Sequence, residues 1–198
     1  MIDWNGDGKI DFCRAVGNTG GYGSYLQCTI STGDSSYEQN VGAIGDWGYS
    51  DRRWMIDWNG DGKTDFCRAV GNSSGYGSYL QCAFSSANGA VDVNVGEIQD
   101  WGYSDRRWMI DWDGDGKTDF CRATGNSSGP GSYLDCAMST GTRRNLVRVG
   151  ETQDWGYSDR RWMTDWNGDG KVDYVRAVGN TSGWGSWLLG SFANAPNG

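Results

Sequence analysis

Carboxylates recur in this chain at a spacing that would cage a hard cation. The segment D-x-[DN]-G-D-G-K-x-D begins at Asp3, Asp57, Asp111 and Asp165, each start 54 residues after the last. In the second copy, oxygen donors fall at Asp57, Asn59, Asp61 and Asp65, and the backbone carbonyl of Lys63 can complete the set. Calcium accepts six to eight such oxygens in flexible geometry, whereas magnesium demands a stricter octahedron and retains its waters. Gly62, sixth in the segment, allows the positive φ that a tight wrap around an ion requires. The expected cofactor is therefore calcium, about four ions, one per repeat.

The segment begins like an EF-hand and does not finish like one. The twelfth position, which should carry a bidentate glutamate, holds Arg14, Arg68, Arg122 and Arg176. The stretch Asp65-Phe66-Cys67-Arg68-Ala69-Val70 alternates and is bounded by Gly71-Asn72, which reads as a strand and not an exiting helix. Asn-Gly and Asp-Gly are also ordinary hairpin turns. A turn alone would not crowd carboxylates in all four copies without a cation to offset their repulsion. The formal net charge of −8 is mostly local to these segments, which hold thirteen of the 25 acidic residues. Four calcium ions would neutralise it, so the acidity says little about a cationic partner. The arginine just after each segment is expected mainly to screen its carboxylates.

The six cysteines fall as Cys13 and Cys28, Cys67 and Cys82, and Cys121 and Cys136, always 15 apart. A hairpin that sets Cys67 opposite Cys82 also sets Ala69 opposite Leu80 and Arg68 opposite Gln81. The fourth copy has Val175 and Gly190 at the matching places, so both cysteines are absent together, as a bonded pair predicts. A thiolate zinc site is a poor alternative with two cysteines per repeat and no histidine. Three disulfides beside calcium cages imply a secreted, extracellular protein. No stretch approaches the 18 apolar residues of a membrane span, and no signal peptide opens the chain. Met1-Ile2-Asp3 instead matches Met55-Ile56-Asp57, so a mature product or a piece of a longer array is expected.

These residues must be positioned by a repeated unit. The chain reads as a single repeat domain, 1–198, with repeats at approximately 1–50, 51–104, 105–158 and 159–198. The unit from Asp51 to Ser104 offers four short strands: Arg53 to Asp57, Asp65 to Gly71, Ser78 to Phe84, and roughly Val91 to Ile98. Glycine- and asparagine-rich loops separate them, and no helical period is sustained. The fold class is all-β and β-propeller-like, with about four antiparallel strands per repeat and a calcium-clasped hairpin in each. The fourth repeat ends after its third strand, so either a small ring closes on a short blade or other chains or repeats complete it.

The segment D-W-N-G-D-G-K-T-D-F, after R-R-W-M-I, resembles the calcium-binding FG-GAP/VCBS repeats of integrin alpha-subunit propellers and secreted propeller lectins. The resemblance covers all four repeats. It implies a cage between the first and second strands of each blade. It implies metal roles for Asp3, Asn5, Asp7, Lys9 (carbonyl) and Asp11, and for Asp57, Asn59, Asp61, Lys63 and Asp65. The same roles fall to Asp111, Asp113, Asp115, Lys117 and Asp119, and to Asp165, Asn167, Asp169, Lys171 and Asp173. The paired cysteines and the repeated D-W-G-Y-S-D-R-R-W are departures that the generic repeat does not require.

That second motif runs from Asp46 to Trp54 and returns at 100–108 and 154–162, at the passage from one blade to the next. Indoles, phenols, guanidinium groups and carboxylates are what a sugar site uses, and large aromatics are equally the usual filler between blades. The candidate ligand-binding residues are Trp47, Tyr49, Arg52, Trp54 and Tyr76; Trp101, Tyr103, Arg106 and Trp108; and Trp155, Tyr157, Arg160, Trp162 and Trp184. Without histidine there is no Ser-His-Asp arrangement. A glycosidase needs two carboxylates, which Asp46, Asp51, Glu97 or Glu151 could supply, yet these recur with the repeat and single out no one site. The expectation is a non-catalytic, multivalent carbohydrate-binding module. The alternative is a structural or adhesive module of an extracellular assembly. Expected partners are glycans or an extracellular protein, with self-association through incomplete terminal blades; nucleic acid is not expected, because no basic stripe forms.

Overall fold

The computed structural model describes residues 2–18, 23–73, 77–127, 129–182 and 184–193. Fourteen β-strands form four sheets, with no helix among the described residues. The first sheet holds β1 (Phe12–Val16), β2 (Tyr25–Ser31) and β3 (Ser36–Ala43). The second holds β4 (Arg53–Ile56), β5 (Asp65–Gly71), β6 (Ser78–Ser86) and β7 (Gly89–Glu97). The third holds β8 (Arg107–Ile110), β9 (Asp119–Gly125), β10 (Ser132–Ser139) and β11 (Arg144–Glu151), and the fourth β12 (Arg161–Thr164), β13 (Asp173–Gly179) and β14 (Ser186–Ser191). Strands adjacent in a sheet are consecutive in sequence, as antiparallel meanders with short turns require.

The expected strands of the second repeat are present, with shifted ends. β4 stops at Ile56 because Asp57 already opens the cage, and β6 and β7 extend to a tight turn at residues 87 and 88. Register follows the cysteines: Cys67 lies opposite Cys82, Ala69 opposite Leu80 and Arg68 opposite Gln81. The bonds Cys13–Cys28, Cys67–Cys82 and Cys121–Cys136 are all formed, each joining the second and third strands expected of its repeat. In the fourth sheet Val175 faces Gly190, so the missing pair is missing from one cross-strand site. Closing a loop of this size contributes about 3 kcal/mol. Three disulfides indicate an extracellular or otherwise oxidising environment. No helix among the described residues is long and apolar enough to cross a membrane.

Register shifts between Leu26 and Gln27 and between Leu80 and Gln81 mark β-bulges in the facing strands at Val41 and Val95. The extra residue is turned inward at each, and both valines are buried.

The chain divides into two compact units, Met1–Asp100 with Thr140–Arg144, and Trp101–Ser139 with Asn145–Gly198. Each has its own core. In the first, Trp4, Leu26 and Ile44 of the first repeat meet Trp47, Phe66 and Ala83. In the second, Trp112, Leu134 and Cys136 of the third repeat meet Trp155, Tyr174 and Ala193. Consecutive repeats inside a unit thus bury each other's apolar faces, which a lone meander could not do. Each large side chain so buried contributes about 1.5–3 kcal/mol.

Candidate functional site

The cages form between the first two strands of each full sheet, and their backbone is wound onto the first aspartate. Asp57 Oδ1 accepts the N–H groups of Gly60 (2.8 Å) and Asp61 (3.2 Å), and Oδ2 accepts that of Gly62 (2.8 Å). Asn59 Oδ1 accepts from Asp61 N and Asp61 Oδ1 from Lys63 N. The same bonds recur from Asp3, Asp111 and Asp165. In the third copy, carboxylate oxygens of Asp111, Asp113 and Asp115 all lie within 4.8 Å of one another. The lysine at position 7 does more than lend a carbonyl. Its ammonium pairs with the position-5 aspartate, Lys9 with Asp7 at 3.0 Å, Lys63 with Asp61 at 3.2 Å and Lys117 with Asp115 at 2.7 Å. Sequence reasoning missed this pairing, though the invariant two-residue offset contained it.

The ninth position plays a second part. Asp65 is fully buried, and its two oxygens accept the N–H groups of Trp58 (3.1 Å) and Ser85 (2.9 Å). It thereby ties the start of the cage to the far end of β6. Asp11, Asp119 and Asp173 make the same two bonds. Burial pushes the Asp65 and Asp119 carboxyls up to about 7, against the pull of those backbone bonds and with the charges of the neighbouring cage aspartates adding to the rise. Burial, then the charge of Asp115, also raises Asp113. Dense oxygen donors whose charge the protein leaves partly uncompensated fit a hard divalent cation.

The arginine after each cage does not screen it, contrary to expectation. Arg68 is fully buried and turns away, to Asp92 on β7 (2.6 Å), Gln81 Oε1 (3.2 Å) and the Asp46 carbonyl. Strand alternation sends its side chain across the sheet and not back along the loop. Arg176 likewise donates to the Asp154 carbonyl.

The D-W-G-Y-S-D-R-R-W connectors are clamped to the second strand of the repeat that follows, β5 in the second repeat. Tyr49 N donates to Ala69 O (3.1 Å), and Ala69 N to Arg52 O (3.0 Å). The Tyr49, Tyr103 and Tyr157 hydroxyls donate to the carbonyls of Gly71, Gly125 and Gly179. Arg52, Arg106 and Arg160 lie over those phenol rings at 5.1, 5.2 and 5.5 Å. Arg106 also donates to Ser127 O at 2.8 Å. Trp47, Trp101 and Trp155 are buried against Phe66, Phe120 and Tyr174, so their faces are already occupied. Trp108 meets Tyr174 at 5.5 Å and Trp54 is half-buried. Trp162 and Trp184 are exposed, and Tyr76 lies outside the described residues. The structure therefore does not assemble these candidates into a stacking site: most serve the joint between repeats. Glu97 and Glu151 each accept a backbone N–H, from Gly77 and Gly131.

No family model matches the chain. Over 127 residues, 63% of the chain, it is 28% identical to the NAD(+)–arginine ADP-ribosyltransferase Chelt of Vibrio cholerae. The match covers 20% of that protein, so the chain spans about a fifth of the curated relative's length. The relative is an enzyme, and the expectation of a non-catalytic carbohydrate-binding module is corrected on that ground. The lack of histidine excludes triad chemistry alone. Displacement at a glycosidic carbon can be assisted by carboxylates, so that lack was never an argument against it.

Proposed function

We propose that this chain serves in an enzyme that transfers ADP-ribose from NAD+ to arginine, and that it contributes calcium-clasped, propeller-like repeats to that enzyme. The similarity over 127 residues to an NAD(+)–arginine ADP-ribosyltransferase carries the enzymatic reading. In such a transfer the bond between ribose and nicotinamide breaks, a guanidinium nitrogen bonds to the same ribose carbon, and nicotinamide and a proton leave. The activity is proposed for the whole protein in which the chain works.

Calcium is proposed for the cages, held by the position 1, 3 and 5 side chains, with Asp111, Asp113 and Asp115 the most convergent set. The ion would offset carboxylate repulsion and hold the strand-to-strand loop in one conformation. Assignment of the repeats to the FG-GAP/VCBS kind is supported by a cage between the first and second strands of each full sheet. Propeller-like blades are supported by the four consecutive antiparallel strands of the second and third sheets. Secretion is supported by the three disulfides.

The test is to incubate the natural protein that bears this chain with NAD+, agmatine and calcium, and to detect products by mass spectrometry. ADP-ribosyl-agmatine and an equal amount of nicotinamide are expected. A folded protein that modifies neither agmatine nor arginine-containing polypeptides would overturn the proposal.

A further inference from the structure

The third residue of three cages is an asparagine followed by glycine: Asn5-Gly6, Asn59-Gly60 and Asn167-Gly168. In such a pair the glycine nitrogen can attack the preceding side-chain amide with least obstruction, because glycine brings no Cβ. The third copy carries Asp113-Gly114 instead, with a carboxylate where the others have an amide.

The cage surrounds this pair with the groups that the attack needs. The nucleophile is Gly60 N, whose N–H is donated to Asp57 Oδ1 at 2.8 Å. A carboxylate at that distance is within reach to take the proton as the nitrogen attacks. The electrophile is the Asn59 side-chain carbonyl, and its Oδ1 accepts the Asp61 N–H at 3.0 Å. A donor aimed at that oxygen stabilises the negative charge that gathers there when the carbon is attacked. Both contacts recur, at 2.8 and 3.1 Å around Asn5-Gly6 and at 2.7 and 2.9 Å around Asn167-Gly168. Gly6, Gly60 and Gly168 are exposed, so water reaches the pair. In the third copy Gly114 N donates to Asp111 Oδ1 at 2.9 Å, and Asp115 N to Asp113 Oδ1 at 3.3 Å. The same loop thus accommodates aspartate at this place.

We propose that Asn5, Asn59 and Asn167 are sites of self-modification, each cage deamidating its own third residue. In the second copy Gly60 N bonds to Asn59 Cγ as its proton passes to Asp57. The Cγ–Nδ2 bond then breaks, and Nδ2 takes that proton and leaves as ammonia. The five-membered succinimide that remains adds one water. Opening at Cγ yields aspartate, and opening at the Asn59 main-chain carbonyl yields isoaspartate. Either product adds one negative charge. The aspartate product gives the cage the acidic set of the third copy, Asp111, Asp113 and Asp115. The reaction needs neither calcium nor the proposed transferase activity.

The full chain, purified in calcium-free buffer, is held at neutral pH either folded or reduced and unfolded in urea. Peptide mass spectrometry over time reads amide-to-acid conversion at each asparagine, and an isoaspartyl methyltransferase reads the isomer. Asn59 is expected to convert about 10²-fold faster folded than unfolded, the lower end of what a positioned base contributes. Asn88-Gly89, at the tight turn between β6 and β7 and outside any cage, should show no such gain. Asp57→Asn keeps an oxygen for the Gly60 N–H but removes the base, and should lose most of the gain at Asn59. Asn5 and Asn167 in the same variant should convert as in the native chain, which reports that the variant is folded. The native comparison is decisive whether or not the variant folds. Asn59 converting no faster folded than in urea, an equal gain at Asn88, or a folded Asp57→Asn that leaves Asn59 unslowed would each overturn the proposal.

Discussion

The ninth residue of each cage carries more of the architecture than its place in a ligand set implies. Asp65 and Asp119 are buried with both oxygens accepting backbone N–H groups, and burial lifts their carboxyls from 3.8 to about 7. A folded-state value above the unfolded one means that the folded protein binds the proton more tightly. The stability this supplies is full below pH 3.8 and is lost as pH rises through about 7. In calcium-free buffer, Asp65→Asn and Asp119→Asn should therefore flatten the fall in thermal midpoint that the native chain shows between those limits. Melts of the native and variant proteins across that range, at fixed ionic strength, check it; a native midpoint that rises with pH there would contradict the assignment. The buried arginines show the same divergence between place in the chain and place in the fold. Arg68 reads as a partner for the cage from its position in the chain, and the strand's alternation instead delivers it to Asp92.

At the scale of the element, the connector is the part on which repeat-to-repeat packing depends. Its glycine, Gly48, Gly102 or Gly156, has a φ of +67°, +66° or +67°. A Cβ on Gly102 would overlap the Ala123 carbonyl oxygen, which accepts the Tyr103 N–H at 3.2 Å. Gly102→Ala should cost about 1–3 kcal/mol from the backbone conformation alone, with the overlap added. Denaturant unfolding would show a lowered midpoint, and Ser104→Ala, two residues away and exposed, should not. The strands themselves were largely legible in the sequence, since alternation and flanking glycines set β5 at Asp65–Gly71 to the residue. Their ends were less so. The extent of β6 and β7 depends on a tight turn, and the bulges at Val41 and Val95 leave no mark in a pattern of apolar residues.

For the whole molecule, the disulfides are a support that packing does not supply, and the calcium proposed for the cages would be a second. With about four sites loaded, chelation should lower the thermal midpoint, since an ion that binds only the folded state stabilises it by mass action. Differential scanning calorimetry with excess EDTA, and again after calcium is restored, checks both loss and recovery; an unchanged melt would remove calcium from the account. The cages, the cysteine pairs and the all-β class were legible because each rests on short-range chemistry repeated four or three times. The enzymatic connection was not. The proposed role rests on similarity to part of a much longer protein, which composition and repeat spacing do not reveal.

The residues alone determine the period and the cysteine pairing, because a 54-residue spacing and a 15-residue hairpin tolerate few alternatives. They could not determine which aromatic residues are free to meet another molecule. Trp47, Trp101 and Trp155 occupy equivalent places in the repeat and are all buried, while Trp112 and Trp166, also equivalent, are buried and exposed respectively. Identical local chemistry is sorted by whether a neighbouring repeat covers it, and only the folded arrangement supplies or withholds that neighbour.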